Sequence, residues 1–299
     1  MHLTINKQIG SGAFSQVYVA DYKPHDDSPV VKVAVKKMIT DHSSDMPHWL
    51  LREIQIASWV GRSRPESFPI LHDVAYQNNS VSLVMELCDM PLCAIRSKSL
   101  DISQYKQYAS DLLQAVAFLH EHSIVHRDIK SQNLLIHNGR LKVTDFGLSV
   151  VGNPLCFQEG KFCTDYVVTR WYRAPELLLN AKWGYTSKVD VWSIGIVLLE
   201  MACGYCPTPG YSSLTQIEAI YRSLGPPLIH EVDAFHPVLF PNIHPNLVSS
   251  DVQPRVARIR FYLGRFGVIK NLQVVLENIL RYDPIGRMSA ARALDTFFS

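Results

Sequence analysis

Residues 126–133, with the sequence HRDIKSQN, bring together side chains suited to the transfer of a phosphoryl group. Asp128 can orient a hydroxyl and accept its proton, and Lys130 can neutralise a phosphate. Asn133 and, further along the chain, Asp145 offer oxygen ligands for a divalent metal ion. Because these residues belong to neighbouring loops, we expect them to converge on one site for phosphoryl transfer.

The same stretch, followed by the DFG sequence at 145–147, resembles the signature set of the eukaryotic protein kinases. The resemblance implies an α+β, bilobal kinase fold. A small β-rich N-lobe would cover residues 1–87 and a larger helical C-lobe residues 88–299, within one kinase domain spanning 4–298. The family uses ATP and Mg²⁺, and Lys130 stands at the position that separates its serine/threonine kinases from its tyrosine kinases.

The composition is that of a globular chain without a strongly charged character. Hydrophobic residues make up 47% of the 299 residues, and 29 Lys and Arg balance 27 Asp and Glu. A net charge of +2 predicts no binding of nucleic acid or of an anionic membrane by the chain as a whole. Six cysteines without a disulfide pattern, and an N-terminus without a secretory signal, predict an intracellular protein, cytoplasmic, nuclear or both.

The elements expected to position a nucleotide begin near the N-terminus. Residues 9–17 (IGSGAFSQV) lie between alternating apolar runs and predict the turn of a β-hairpin, whose glycines let backbone amides approach phosphates. Residues 30–37 predict a strand, on which Lys36 matches the kinase lysine that contacts the α- and β-phosphates. Lys37 should point to the opposite face. Glu53, within a helical pattern, matches the glutamate that pairs with this lysine.

Residues 81–89 predict a strand that runs into a polar break and resembles the hinge of a kinase. The resemblance makes Met85 the gatekeeper, and the carbonyl of Glu86 and the backbone of Cys88 would meet the adenine edge. Apolar side chains would supply the walls of the pocket. The full set assigned to nucleotide binding is Ile9, Gly10, Ser11, Gly12, Val17, Ala34, Lys36, Met85, Glu86, Cys88 and Leu135.

Residues 164–173 (TDYVVTRWYR) resemble the activation segment of the CMGC branch, which includes the cyclin-dependent and mitogen-activated kinases. In that branch two valines, here including Val168, and Arg173 accompany a preference for proline after the phosphoacceptor. Thr164 and Tyr166 match regulatory phosphorylation sites.

A phosphate on Thr164 requires basic partners. Arg52 and Arg127 match two of the family's three clamp arginines, but Val150 stands at the third position. We therefore predict a weaker phosphothreonine clamp, or partial activity without phosphorylation.

The helix predicted at 47–57 bears on the choice of branch. Its first part, residues 47–53 (PHWLLRE), stands where cyclin-dependent kinases carry the PSTAIRE segment that contacts a cyclin. It shares the first residue and the last two residues of that segment. The resemblance thus implies a cyclin-like activating subunit at this helix, although Trp49 could instead simply pack in the core.

Three interpretations of the whole chain follow. The chain leaves no room for the C-terminal extension of mitogen-activated kinases, so the first is a cyclin-dependent-like kinase that phosphorylates Ser/Thr-Pro sites in proteins. The second is a mitogen-activated-like or MAK-like kinase activated at Thr164 and Tyr166. The third is a pseudokinase that serves as a binding scaffold.

Other positions carry structural expectations. Asp190 should brace the backbone of the loop at 126–133, and Arg287 should pair with Glu176. Ser131, where the family usually has proline, should loosen the loop slightly without touching the chemistry. A basic cluster predicts a solvated helix face, with an anion or partner site as the alternative; it consists of Arg255, Arg258, Arg260 and Arg265.

Overall fold

The computed structural model describes residues 2–12, 15–39, 46–77, 80–95, 100–152, 170–178, 185–233, 250–266 and 270–299. A β-rich N-terminal part is followed by a mainly helical part, in agreement with the predicted α+β class. The large sheet ends at Glu86. The division into lobes after residue 87 stays a prediction.

The N-terminal part is an antiparallel sheet with the strand order β1-β2-β3-β5-β4. Its strands are β1 His2–Ser11, β2 Ser15–Lys23, β3 Val31–Met38, β4 Leu71–Gln77 and β5 Ser80–Glu86. Alternation along β3 buries Val33 and Val35 in a small apolar cluster on one face of the sheet. Lys37 is exposed on that same side, whereas Lys36 points the other way.

Helix α1, His48–Ser63, lies between β3 and β4 in the chain and packs against the main core through Leu50, Ile56 and Val60. Gly61 permits its close approach to the chain before β4, because a Cβ at this position would lie 2.7 Å from the carbonyl oxygen of Pro69. Trp49 is partly buried against the same core, which agrees with a packing role for this side chain.

The helical part is built around α4, Lys188–Cys203, which is buried on all sides from Val189 to Leu199. Such an all-round apolar helix is typical of the centre of a large domain. The remaining helices are α2 Ile102–Glu121, α3 Pro175–Leu178, α5 Ser213–Leu224, α6 Ile229–Asp233, α7 Gln253–Leu263, α8 Lys270–Ile279 and α9 Ala290–Phe298. The short strands are β6 Met90–Pro91, β7 Ile124–Val125, β8 Leu134–His137, β9 Arg140–Val143 and β10 Val150–Val151.

Two buried ion pairs tie the helical part together. Arg287 donates to both carboxylate oxygens of Glu176, at 2.6 and 3.1 Å, as predicted. Arg255 makes a second bidentate pair with Glu231 at 2.8 and 2.5 Å.

The prediction of a solvated face for the basic cluster is therefore wrong for Arg255, which is only 4% exposed. Its planar guanidinium matches the carboxylate of Glu231 with two parallel hydrogen bonds, and this pairing compensates its burial. Arg260, by contrast, is exposed as expected.

Candidate active site

Asp190, on the buried helix α4, holds the loop of residues 126–133, which we call the catalytic loop. Its carboxylate accepts hydrogen bonds from the backbone N–H groups of His126, at 2.8 Å, and Arg127, at 2.7 Å, as predicted. The ring of His120 lies 2.9 Å from the same carboxylate. Burial alone would raise the pKa of Asp190, but the hydrogen bond with His120 and its other neighbours outweigh burial and lower it. The charged group thus fixes the start of the loop.

Within the catalytic loop, two side chains orient the carboxylate of Asp128. Lys130 Nζ lies 2.7 Å from Oδ2, and Asn133 Nδ2 donates to the same oxygen at 2.9 Å. The Asn133 amide also donates to the Asp128 carbonyl at 2.9 Å. Because both side chains use Oδ2, Oδ1 is the oxygen that can accept the proton of a substrate hydroxyl.

Lys36 joins the sheet to this region through two carboxylates. Its Nζ lies 2.5 Å from Glu53 Oε1 on α1 and 2.8 Å from Asp145 Oδ1. Burial alone would lower the pKa of Lys36, but the charges of Asp145 and Glu53 prevail and raise it. Helix α1 is therefore docked inward, with the lysine charged.

The pKa values of the two carboxylates that share this ammonium group are shifted in opposite directions. Burial raises the pKa of Glu53, and Lys36 offsets this only in part. Burial also acts to raise the pKa of Asp145, but Lys36, Lys130 and His126 together lower it to about 2. Asp145, which has more cationic neighbours, is thus the more firmly ionised of the pair.

The backbone around Asp145 explains how its side chain reaches Lys36. Asp145 has a φ of 70°, in the left-handed region. The next residue, Phe146, is buried against the rings of His126 and Phe68, with ring centroids 5.2 and 6.0 Å away. A Cβ at Gly147 would lie 3.2 Å from Glu53 Oε2. The buried ring of Phe146 and the absence of a side chain at Gly147 therefore help to orient Asp145 toward Lys36.

The residues expected to bind metal offer suitable atoms. Asp145 presents an ionised, 38% exposed carboxylate, and Asn133, whose amide nitrogen faces Asp128, has its Oδ1 to offer. Hard oxygen ligands of this kind suit a divalent ion such as Mg²⁺, which completes its shell with phosphate oxygens and water. The described residues include no group of three or more His, Cys, Asp or Glu that could hold a metal ion. The pair fits an ion that arrives with a nucleotide.

The strand register brings several residues of the expected nucleotide pocket together. Val17 of β2 lies opposite Lys36, and Ala34 lies opposite Met85 of β5. In the glycine turn, the Gly12 N–H donates to the Ser15 carbonyl at 2.7 Å, so this turn closes a β-hairpin as predicted. The remaining members of the set stand around this register: Ile9, Gly10 and Ser11 at the end of β1, Glu86 and Cys88 at and after the end of β5, and Leu135 in β8.

A polar network that was not predicted from the sequence lies behind the expected hinge. The nearly buried Lys142 of β9 donates to Glu86 Oε2 at 2.6 Å. His137 lies 3.4 Å from Glu86 Oε1 and, through its other ring nitrogen, 3.4 Å from Asp89. In the sequence, β9 shows only two basic residues alternating with apolar ones, and this pattern does not identify a partner for Lys142.

Arg52 and Arg127, the two arginines of the predicted phosphate clamp, are among the described residues, and their role as a clamp stays a prediction. Arg52 and Arg127 lie near each other; burial and the charge of Arg127 lower the pKa of Arg52. Arg127 donates to the Leu148 carbonyl at 2.6 Å and to the hydroxyl of Tyr185 at 2.5 Å. Val150, at the place of the third arginine, is buried in β10.

The expected regulatory and substrate residues Thr164, Tyr166 and Val168 lie outside the described residues. Arg173, which is half-buried, lies inside them; its backbone N–H donates to the Arg170 carbonyl at 2.9 Å.

Comparisons with known proteins define the class. The family model of the protein kinase domain matches residues 3–299, so the chain belongs to the protein kinase family. The chain is also similar to the "Probable cell division protein kinase ECU11_1290" of Encephalitozoon cuniculi (strain GB-M1). The two are 35% identical over 224 residues, which cover 74% of this chain and 68% of the relative. The protein is an enzyme that uses ATP with a divalent metal ion to phosphorylate proteins.

None of the helices in the described part of the chain combines the length and apolar character that crossing a membrane requires.

Proposed function

We propose that this protein kinase is a serine/threonine kinase of the cyclin-dependent type that phosphorylates Ser or Thr followed by proline. The observation that carries the proposal is the convergence of Asp128 with Lys130, and of Lys36 with Glu53 and Asp145, on one region. The similarity to a cell division protein kinase supports the branch, and the branch-typical Arg173 supports the proline preference. Cysteine usage supports an intracellular location, cytoplasmic, nuclear or both.

The proposed roles follow from the contacts. Asp128 Oδ1 accepts the proton of the substrate hydroxyl while the hydroxyl oxygen attacks the γ-phosphorus of ATP. The bond between this phosphorus and the β,γ-bridging oxygen breaks, ADP leaves, and Lys130 neutralises charge on the transferred group. Lys36, held by Glu53, binds the α- and β-phosphates. Asp145 and Asn133 would hold Mg²⁺, which would neutralise phosphate charge.

The outer face of α1 supports a partner of the cyclin-like kind. Leu51 on this face is 41% exposed and Trp59 40%, and an open surface depression lies along α1 beside Ile54 and Trp59. The Lys36–Glu53 pair is formed in the single chain, so the partner would stabilise this docked helix rather than create the pair.

Paired peptides test the proline preference. Proline has no backbone N–H. If the kinase offers no hydrogen-bond acceptor to the residue after the phosphoacceptor, any other residue there leaves its N–H unsatisfied and is disfavoured. Such a penalty is about 1–3 kcal/mol, or about five- to 150-fold in kcat/KM. We expect purified protein with Mg-ATP to phosphorylate a Ser-Pro peptide faster than its Ser-Ala twin by a factor in this range.

The matched controls for this assay are K36M, which should lose activity, and K37M, which should keep it. Equal rates on the two peptides, with the K36M control inactive, would contradict the proline preference while leaving the kinase activity intact.

The incomplete clamp gives a prediction for Thr164. Two partly exposed arginines contribute about 1 kcal/mol, so T164A should lower kcat/KM by about fivefold or less relative to protein phosphorylated at this site. Steady-state rates of both forms measure this. Complete loss of activity in T164A would contradict the prediction. A loss of activity in Y166F as large as that in T164A would instead favour the mitogen-activated-like or MAK-like alternative.

A further inference from the structure

A second carboxylate of α4 contacts the catalytic loop at its other end. Ser131 Oγ donates to Glu200 Oε1 at 3.0 Å, and the hydroxyl of Tyr172 donates to Glu200 Oε2 at 2.8 Å. The two hydroxyls are themselves 3.0 Å apart. Ser131 is 1% exposed and Tyr172 3%. The three side chains form one closed polar cluster, which we call the Glu200 cluster.

The members of the Glu200 cluster stand beside functional residues in the chain. Ser131 directly follows Lys130, which touches Asp128. Tyr172 directly precedes Arg173, on the proposed substrate side. Tyr172 is anchored to α4 a second time, because Ser193 Oγ donates to its carbonyl at 2.8 Å. One helix therefore connects the loop that carries the base with the segment proposed to receive the substrate.

The chemistry of the cluster makes the Ser131 hydroxyl more than a filler. Burial raises the pKa of Glu200, and the groups that oppose this shift in the described part of the chain are the hydroxyls of Tyr172 and Ser131. A carboxylate held by neutral donors depends on each of them, since a buried acceptor without its donor is costly. Proline, the usual residue at position 131 in the family, has no hydroxyl to offer.

We propose that Ser131 is a positioning residue for phosphoryl transfer, acting through Glu200 and Tyr172 to hold the catalytic loop in register with the substrate segment. The expectation that serine merely loosens the loop is replaced by a specific constraint: a hydrogen bond takes over what proline does by rigidity. Reaction rates respond steeply to misplacement of a catalytic group. The proposal concerns kcat, because the expected nucleotide residues Lys36 and Asp145 lie outside the cluster.

The test compares S131A with S131T, which keeps the hydroxyl. The acceptor is a mixture of Ser and Thr peptides, some with and some without proline after the phosphoacceptor. We expect S131A to lower kcat by about tenfold with KM for ATP unchanged, and S131T to retain at least half of the wild-type kcat. Thermal denaturation of each variant checks that S131A is folded at the assay temperature. The acceptor mixture keeps the outcome independent of the proline preference.

A double-mutant cycle with E200Q tests the route of the effect. If Ser131 acts through Glu200, the kcat of the S131A/E200Q double variant should be only slightly lower than that of E200Q alone. The proposal is overturned if the two losses in kcat multiply, if S131A has the kcat of the wild type, or if S131T loses as much as S131A. Should S131A be unfolded at the assay temperature, the same cycle is measured at a lower temperature at which all four proteins are folded, with the same expected and contrary outcomes.

Discussion

Replacing Lys36 with methionine should lower kcat for peptide phosphorylation by about 10²- to 10³-fold, the usual effect of removing one preorganised charge-stabilising group from an active site. Lys36 Nζ bridges Glu53 and Asp145 at 2.5 and 2.8 Å. Without it, the 3% exposed side chain of Glu53 loses its cation, and the ionic bridge from α1 to Asp145 is lost.

Lys37 provides the matched control for this experiment. It is the next residue of β3, but it is exposed on the opposite face of the sheet, so K37M removes the same charge from the same strand. We expect K37M to retain the wild-type kcat within about twofold, because exposed substitutions away from special features have small effects.

A loss of activity in K36M could also arise from misfolding, and a double variant separates the two causes. K36M/E53Q removes the uncompensated carboxylate together with its partner, so its thermal stability should exceed that of K36M. Its activity should stay as low as that of K36M. If activity returned with stability, Lys36 would be a structural residue and not a phosphate ligand.

The pairs that the sequence predicted are those in which both residues belong to protein kinase motifs that follow one another in a fixed order along the chain. Lys36 with Glu53, Asp190 with the catalytic-loop backbone, and Arg287 with Glu176 all follow this pattern. The motif fixes both residue types, and the protein kinase resemblance supplies the distance between them.

The contacts that the sequence did not reveal join residues with no common pattern. Glu231 lies in a five-residue helix and contacts Arg255, which follows a stretch of diverged sequence. A helical wheel can show on which face of its helix an arginine lies, but not that a carboxylate of another helix packs against that face. Ser131 could be recognised as a departure from the family, yet its acceptor, Glu200, lies 69 positions further along the chain. Such partners are set by the packing of elements that lie far apart in the chain, which no local pattern encodes.

Replacing Asp128 with asparagine should lower kcat by about 10²- to 10⁴-fold, the usual contribution of a positioned general base. Asparagine keeps the shape of the side chain, but its amide cannot take up the hydroxyl proton. The affinity for ATP should change little, because Asp128 meets Lys130 and Asn133, whereas Lys36 meets Asp145. Single-turnover phosphoryl transfer and nucleotide binding, measured on the same preparation, separate the two effects.

The control for D128N is D27N, the same loss of charge at an exposed position in the turn after β2, which should leave both quantities unchanged. If D128N kept more than about a tenth of the wild-type transfer rate, the proton would have to leave by another route, since loss of a general base costs at least about 10²-fold. Lys130 would then be doing its work without the carboxylate that it contacts at 2.7 Å. A large loss confined to transfer would instead support Asp128 as the general base for the substrate hydroxyl.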